Sequence, residues 1–319
     1  MHSLFDLRPK TKLNILPENP DHTPCGGAVG KGRFPKWLHR KLPDHDLLQQ
    51  THDSVNKRHL HTVCVEAKCP NLLECYSKKT ATFLILGKSC TRACGFCDIA
   101  FTPDPGTPDP EEPEQVAASV LELGLKHVVI TMVARDDLDD GGAEHLVKTV
   151  QAVRQKTPAA TIETLTSDFA GNKQAIDYLV EAKPEIFNHN IETVERLSPR
   201  VRHKATYSRS LSVLSYAKSK DAELVVKSGI MVGLGEEKEE VLQTLQDLQQ
   251  NGVDIVTIGQ YLQASAKKLP VRQFITPETF EEYREYGRSI GLKDVYSGPF
   301  VRSSYNAALF VKNKRIDSI

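Results

Sequence analysis

The chain has 319 residues, 39% apolar and 26% charged, an ordinary globular composition with enough length to bury a sizeable core. Its 41 basic and 41 acidic residues cancel, so no net charge draws it to nucleic acid or an anionic membrane. No run approaches the ~18 apolar residues of a membrane span. Met1–Pro20 lacks the apolar core of a secretory signal.

Asp6 and Glu18 interrupt the N-terminus and Arg8 is its only arginine, so it does not read as a transit peptide. The expected compartment is the cytoplasm, where clustered cysteines point to metal or catalysis more than to disulfides. Residues 1 to about 35 are loop-like, broken by Pro9, Pro17, Pro20, Pro24, Gly26, Gly27, Gly30 and Gly32. Cys25 has no partner at ligand spacing and reads as incidental. Lys36-Trp37-Leu38-His39-Arg40-Lys41 is either an arm anchored by Trp37 or a basic docking patch for an acidic partner. Residues 44–60 read as a polar helix.

Cys64, Cys69 and Cys75 follow, with gaps of four and five residues. That is neither the short step of most zinc fingers nor a familiar ferredoxin pattern. A second metal site and buried structural thiols both fit. A strand is expected over 80–87, and then Cys90-Thr-Arg-Ala-Cys94-Gly-Phe-Cys97 places three cysteines within eight residues. Three thiolates from one tight loop suit an iron–sulfur cluster. Filling three corners of a four-iron cluster leaves one iron open for chemistry. A zinc site would want a fourth ligand nearby, and no histidine lies between His61 and His127.

From here strands and helices alternate. Helices are expected at 113–123, from about 143 to 156, and at 172–182, 210–219, 236–251 and 277–290. The strands between them fall at 127–133, 161–165, 186–191, 224–232 and 253–261. Six strand–helix pairs argue for a parallel α/β sheet, doubly wound or barrel. No Gly-x-Gly-x-x-Gly follows a strand, which weighs against a dinucleotide fold. The Cys90 loop follows the first strand, at the end where barrels carry their active sites. Other strand ends bring Arg135, Asp136 and Asp137; Thr166, Ser167 and Asp168; Asn188, His189, Asn190 and Glu192; Lys227 and Ser228; and Gln260. Gly233-Leu-Gly-Glu236 would let backbone approach a ligand. Near the C-terminus, Arg302-Ser303-Ser304-Tyr305 is by itself an ordinary polar turn.

Together these segments closely resemble the lipoyl synthases, sulfur-inserting members of the radical S-adenosylmethionine (SAM) superfamily. The resemblance rests on both cysteine triads, on Arg302 to Tyr305, and on Arg135-Asp-Asp-Leu. It also rests on Asn188-His-Asn-Ile-Glu-Thr193, Lys227-Ser-Gly-Ile-Met-Val-Gly-Leu-Gly-Glu236 and Gly259-Gln-Tyr-Leu262. It covers nearly the whole chain after about residue 35. Ala264 and Lys268 depart from the family's usual Pro and His.

The resemblance implies a partial (β/α)6 TIM-type barrel over residues 80–291. An N-terminal extension (1–79) would carry the first triad, and a C-terminal extension (292–319) the serine motif. It implies two four-iron clusters, one for SAM on Cys90, Cys94 and Cys97. The other, auxiliary cluster would sit on Cys64, Cys69, Cys75 and a serine, Ser304 in preference to Ser303. Phe96, Asn188, Glu192, Lys227, Gly233 and Gln260 are the candidate SAM-binding residues. The implied reaction cleaves SAM to a 5′-deoxyadenosyl radical, which takes hydrogen from an octanoyl chain on a carrier-protein lysine. Two sulfur atoms then enter, donated by the auxiliary cluster. Implied partners are the lipoyl domains of 2-oxoacid dehydrogenase complexes, the glycine cleavage H protein, a ferredoxin or flavodoxin, and an iron–sulfur carrier. A biotin-synthase-like inserter or a methylthiotransferase fits the triad order and serine motif less well. A small electron carrier should supply four cysteines per cluster.

Overall fold

The structure, a computed structural model, describes residues 34–39, 51–55, 57–77 and 81–304. Residues 1–33 with Cys25, Arg40 and Lys41, residues 44–50 of the helix expected at 44–60, Thr80 and Tyr305 lie outside the described residues. The chain divides into two compact units, Met1–Lys41 and Leu42–Ile319. In the first, Lys36–Leu38 form one 3-10 turn, and His39 Nε2 lies 3.1 Å from the Phe34 carbonyl.

The second unit opens with α1 (residues 51–55), β1 (His61–Thr62), α2 (Val63–Glu66) and α3 (Leu72–Ser77). Then come β2 (Thr82–Ile85), the short β3 (Ser89–Cys90) and β4 (Ala100–Phe101), and α4 (Glu112–Leu123). The alternation continues with β5 (His127–Met132), α5 (Ala143–Lys156), β6 (Thr161–Leu165), α6 (Lys173–Glu181) and β7 (Ile186–Asn188). It ends with α7 (Ser198–Val201), α8 (Tyr207–Lys220), β8 (Val225–Val232), α9 (Lys238–Gln250), β9 (Ile255–Gln260), α10 (Pro277–Ser289) and β10 (Asp294–Gly298). Helix starts follow local chemistry. The Asn172 side chain accepts from the Gln174 and Ala175 N–H groups, Glu237 and Glu240 form a capping box, and Pro277 opens α10 behind Thr276.

The main sheet runs β1-β2-β5-β6-β7-β8-β9-β10, with β1 antiparallel to β2 and all later neighbours parallel. The end strands do not meet, so this is an open barrel of the expected kind. Two features differ from the sequence expectation. β10 adds a parallel strand where only an extension was expected, because its five residues alternate too weakly to read alone. β7 stops at Asn188, since the ladder breaks over 189–191 and resumes as a single bridge, Glu192 to Ile230. Glu192 has φ 70°, and this bulge re-aims the side chains that follow β7.

Side-chain alternation sorts the sheet's two faces. Val128, Ile130, Ile162, Phe187, Val226, Val256 and Ile258 pack into the large core with the helices. Val129, Ile186, Val225 and Ile255 form a small separate cluster on the concave face. Glu163, Asn188 and Lys227 share that concave register and are fully buried.

β2 leaves the sheet through Leu86, whose φ of 68° is unusual for a leucine. Its N–H donates to Glu112 Oε2 at 2.7 Å, and His145 Nε2 hydrogen-bonds the same oxygen at 2.8 Å. Glu112→Ala leaves the buried Leu86 N–H unsatisfied, which should destabilise the protein by ~1–3 kcal/mol. Urea unfolding checks this, and a change within ~0.5 kcal/mol, as at an ordinary surface site, would contradict it.

Candidate metal centres at the barrel mouth

The Cys90 loop is tied to the barrel along its whole length. β3 and β4 bracket it, and the Thr102 N–H donates to the Cys90 carbonyl at 3.0 Å. The Gly95 N–H donates to the Val201 carbonyl at 2.9 Å, and the Leu269 N–H donates to the Gly95 carbonyl at 2.9 Å. Two backbone N–H groups point at sulfur: Arg92 to Cys90 Sγ and His203 to Cys94 Sγ, each at 3.4 Å. Such bonds orient thiolate ligands and tune the metal they hold.

Arg92 is the main anchor. Its guanidinium is buried and forks onto Asp136 at 2.9 and 2.6 Å and onto Asp168 at 2.7 Å. Asp136 follows β5 and Asp168 follows β6. Burial works to raise both carboxylates, but Arg92 outweighs it and holds them below their ordinary range. Thr91 Oγ1 donates to the Ala134 carbonyl and accepts from the Asp136 N–H, each at 3.0 Å. Arg135 pairs with Asp137 and donates to the Gly106 carbonyl at 2.6 Å, securing the chain beyond β4. The Arg135-Asp-Asp-Leu stretch thus serves to hold the cysteine loop.

The first triad is built by two short helices. Cys64 is buried in α2 and Cys75 lies in α3. Between them Lys68 takes φ 50°, and the Cys69 N–H donates to the Cys64 carbonyl at 3.0 Å. Lys68 Nζ forms an ion pair with Asp98, the residue after Cys97, so the two cysteine loops touch directly. Asn71 Nδ2 donates to the Phe300 carbonyl at 2.8 Å, which brings the C-terminal segment to the same place.

That segment doubles back after β10 and lies across β8 and β9. It fits because two positions lack a Cβ. One built at Gly229 would sit 2.6 Å from Ser303 Oγ, and one at Gly259 would overlap the Val301 carbonyl. Ser303 Oγ donates to Asn190 Oδ1 at 2.6 Å and lies 3.5 Å from Thr257 Oγ1. The half-buried Ser304 hydroxyl makes no hydrogen bond among the described residues.

The thiols fit a cationic inorganic group. Burial, reinforced by the neighbouring thiolates, pushes Cys97 up to about 12 and Cys64 up to about 11. Burial raises Cys94 as well. Sulfurs so buried and so close ionise together only around a concentrated positive charge. Among the described residues no three His, Cys, Asp or Glu side chains converge on one ion. A cluster asks for a different arrangement, in which each thiolate takes a separate corner.

The remaining sequence candidates separate into two groups. Phe96 is half-buried against the core, and Glu192 lies near Cys94 and Arg202. Burial raises the Glu192 carboxyl, with Arg202 and Asn190 working against it. The other four make contacts within the barrel. Asn188 Nδ2 donates to Glu163 Oε1 at 2.6 Å, and Lys227 Nζ reaches Glu163 at 2.9 and 3.1 Å. Gln260 Nε2 donates to the Val232, Tyr261 and Gln273 carbonyls, and its oxygen accepts from the Ile275 N–H at 2.8 Å. Gly233 has φ 99°, and a Cβ there would overlap the Gln260 amide.

Sequence reasoning missed Arg92, Asn71, Glu163 and Arg202. Arg92 stood inside the cysteine loop, and Glu163 was the one charged residue in its strand, Thr161–Leu165. Arg202 donates to Ser210 Oγ at 2.6 Å, and His189 bridges Ser210 and the Thr166 carbonyl at 2.9 Å each. Burial and the Arg202 charge push His189 down to about 4, so it stays neutral near pH 7.

Comparison with known proteins agrees with this geometry. The model of the radical SAM superfamily matches residues 84–248. The lipoyl synthase of Protochlamydia amoebophila is 62% identical over 309 residues, 96% of this chain and 95% of its own. That of Chlamydia muridarum is 56% identical over 86% of this chain and 89% of its own. Among solved structures, Streptococcus suis SuiB bound to S-adenosylmethionine aligns over 72% of this chain and 53% of its own, with a TM-score of 0.55 and 11% identity. HydG, a maturase of the FeFe-hydrogenase, aligns over 82% and 73%, with a TM-score of 0.51 and 14% identity. At such identities the structural likeness shows the fold alone. The full-length sequence match is decisive: the chain belongs to the lipoyl synthase family of radical SAM enzymes.

Proposed function

We propose that this chain inserts two sulfur atoms into an octanoyl chain held on a lysine of a lipoyl carrier protein. In this reading Cys90, Cys94 and Cys97 hold the SAM cluster, and Cys64, Cys69, Cys75 and Ser304 hold the auxiliary cluster. One juxtaposition supports it above all. The Lys68–Asp98 and Asn71–Phe300 contacts gather two cysteine loops and the sequence-remote serine segment at one barrel mouth. When bound, the clusters supply the electron that cleaves SAM and the sulfur that enters the product.

The chain's own residues do the rest. A three-cysteine loop leaves one corner open for SAM. Glu192 beside Arg202 offers a carboxylate and a guanidinium, complementary to the ammonium and carboxylate of an amino acid such as SAM. Ser304 offers a hard oxygen among soft thiolates, a ligand suited to release. The buried concave face keeps water from a reactive carbon radical. The carriers would be lipoyl domains of 2-oxoacid dehydrogenase complexes and the glycine cleavage H protein. A ferredoxin or flavodoxin would deliver electrons, and an iron–sulfur carrier would rebuild the spent cluster. The proposed site of action is the cytoplasm, and among the described residues no helix is long and apolar enough to cross a membrane.

Anaerobic reconstitution should give about eight irons per chain, from two four-iron clusters. With SAM, reductant and an octanoyl-lysine peptide it should yield deoxyadenosine and lipoyl product. Ser304→Ala should keep deoxyadenosine formation and lose complete sulfur insertion. About four irons, with deoxyadenosine but no lipoyl product, would overturn the assignment.

Arg92→Lys tests the anchor, because a lysine cannot fork onto two carboxylates. It should lower iron retained after gel filtration and slow SAM cleavage by roughly 10²-fold, the cost of misplacing a reacting centre. Wild-type iron content with a wild-type rate of deoxyadenosine formation would contradict the role given to Arg92.

A further inference from the structure

The concave face holds a buried ion pair that neither cysteine loop uses. Glu163 on β6 and Lys227 on β8 are both 0% exposed. Asn188, on the strand between them, donates to the same carboxylate, and His127 Nε2 lies 3.7 Å from Glu163 Oε2. Burial works to raise the Glu163 carboxyl, but Lys227 and His127 outweigh it and hold it below its ordinary range, while burial, opposed by Glu163, lowers Lys227. Lys227 Nζ lies 2.9 Å from Glu163 Oε1, the geometry of an ion pair. Next to it, Val129, Ile186, Val225 and Ile255 fill the same face with aliphatic side chains. A buried ion pair is weak evidence for stability, and apolar residues of similar volume often serve as well or better. Charge at this position calls for a use beyond filling space.

The use is visible in the ammonium's donors. An ammonium has three N–H groups. Two serve the Glu163 oxygens at 2.9 and 3.1 Å, and Lys227 Nζ also donates to the carbonyl of Ser303. Ser303 Oγ donates to Asn190 and lies beside Thr257, and the missing side chain of Gly229 leaves it room. The next residue is Ser304. Its Cα lies one trans peptide, about 3.8 Å, beyond that of Ser303.

We propose that Glu163 and Lys227 are positioning residues for the Ser304 ligand, and that Lys227 does not contact SAM. The inference rests on the family reading above. Serine oxygen competes poorly with thiolate for iron, so its occupancy must come from placement more than affinity. Lys227 fixes the peptide unit that carries Ser304, Glu163 fixes Lys227, and the strands fix Glu163. Release of the ligand then needs only the Ser304 side chain to turn away, while the segment stays seated on β8 and β9.

The test uses Lys227→Met and the double variant Glu163→Gln/Lys227→Met, reconstituted with iron-57. The double variant removes both charges, so a folding defect from one stranded buried charge does not obscure the result. In a background lacking Cys90, Cys94 and Cys97, only the auxiliary cluster remains, and Mössbauer spectroscopy reads its oxygen-bound iron as a site distinct from the thiolate-bound three. Both variants should blur or lose that distinct site. In the full protein they should keep the wild-type KM for SAM, while lipoyl product per deoxyadenosine falls at least about tenfold. An unchanged oxygen-bound site together with a KM for SAM raised about tenfold or more would make Lys227 a SAM contact and overturn the proposal. Equal loss of iron from both clusters would overturn it too, leaving the pair a general support. A wild-type protein with only one cluster would instead sink the proposed two-cluster reading and this inference with it.

Discussion

The guanidinium of Arg92 bridges Asp136 and Asp168, and through them the Cys90 loop is fixed to the C-terminal ends of β5 and β6. A loop of three clustered thiols cannot hold its own shape, because ionised sulfurs repel one another and burial raises Cys97 and Cys94. Its geometry must be imposed from outside. Arg92 imposes it at one end, and the Gly95 backbone bonds to Val201 and Leu269 impose it at the other. Parallel strands suit this task. Their C-terminal ends meet at one mouth, so residues far apart in sequence reach a common point on rigid supports.

An open barrel leaves its concave face uncovered, and this chain covers it with its own ends. The α2–α3 segment comes in from the N-terminal side and the 299–304 segment from the C-terminal side, and Asn71 joins them at the Phe300 carbonyl. The same elements that cover that face therefore carry the proposed second set of metal ligands. That economy explains the glycines on β8 and β9. A side chain at either position would lift the serine segment off the sheet. It also explains why a polar network sits beneath the mouth, since the covering segment presents backbone carbonyls that need donors.

Much of this was legible in the sequence, for local reasons. Cysteine spacing, strand–helix alternation and capping residues are encoded within a few positions of one another, and the boundaries fell close to expectation. Features that depend on long-range pairing were not legible. Nothing near Asp294 marks it as the start of a strand, because β10 is defined by its partner β9. Lys227 and Gln260 stand at strand ends, where polar residues usually face the mouth, and their donors reach Glu163 and the 273–275 connection, partners that no local pattern announces. The serine is the clearest case. Physical chemistry alone would not choose an alkoxide over a thiolate, and only the resemblance raised it. The structure adds that the Ser303 hydroxyl is already bonded, while that of Ser304 makes no hydrogen bond among the described residues.

The central claim is that two cysteine triads and one serine form two metal centres at a shared mouth. The most direct measurement is an anaerobic crystal structure of the reconstituted protein, with iron located by anomalous scattering. The account predicts two four-iron clusters, one on Cys90, Cys94 and Cys97, the other on Cys64, Cys69 and Cys75 with Ser304 Oγ bound to its remaining iron. A single cluster, or a second cluster whose fourth iron has no serine ligand, would contradict it.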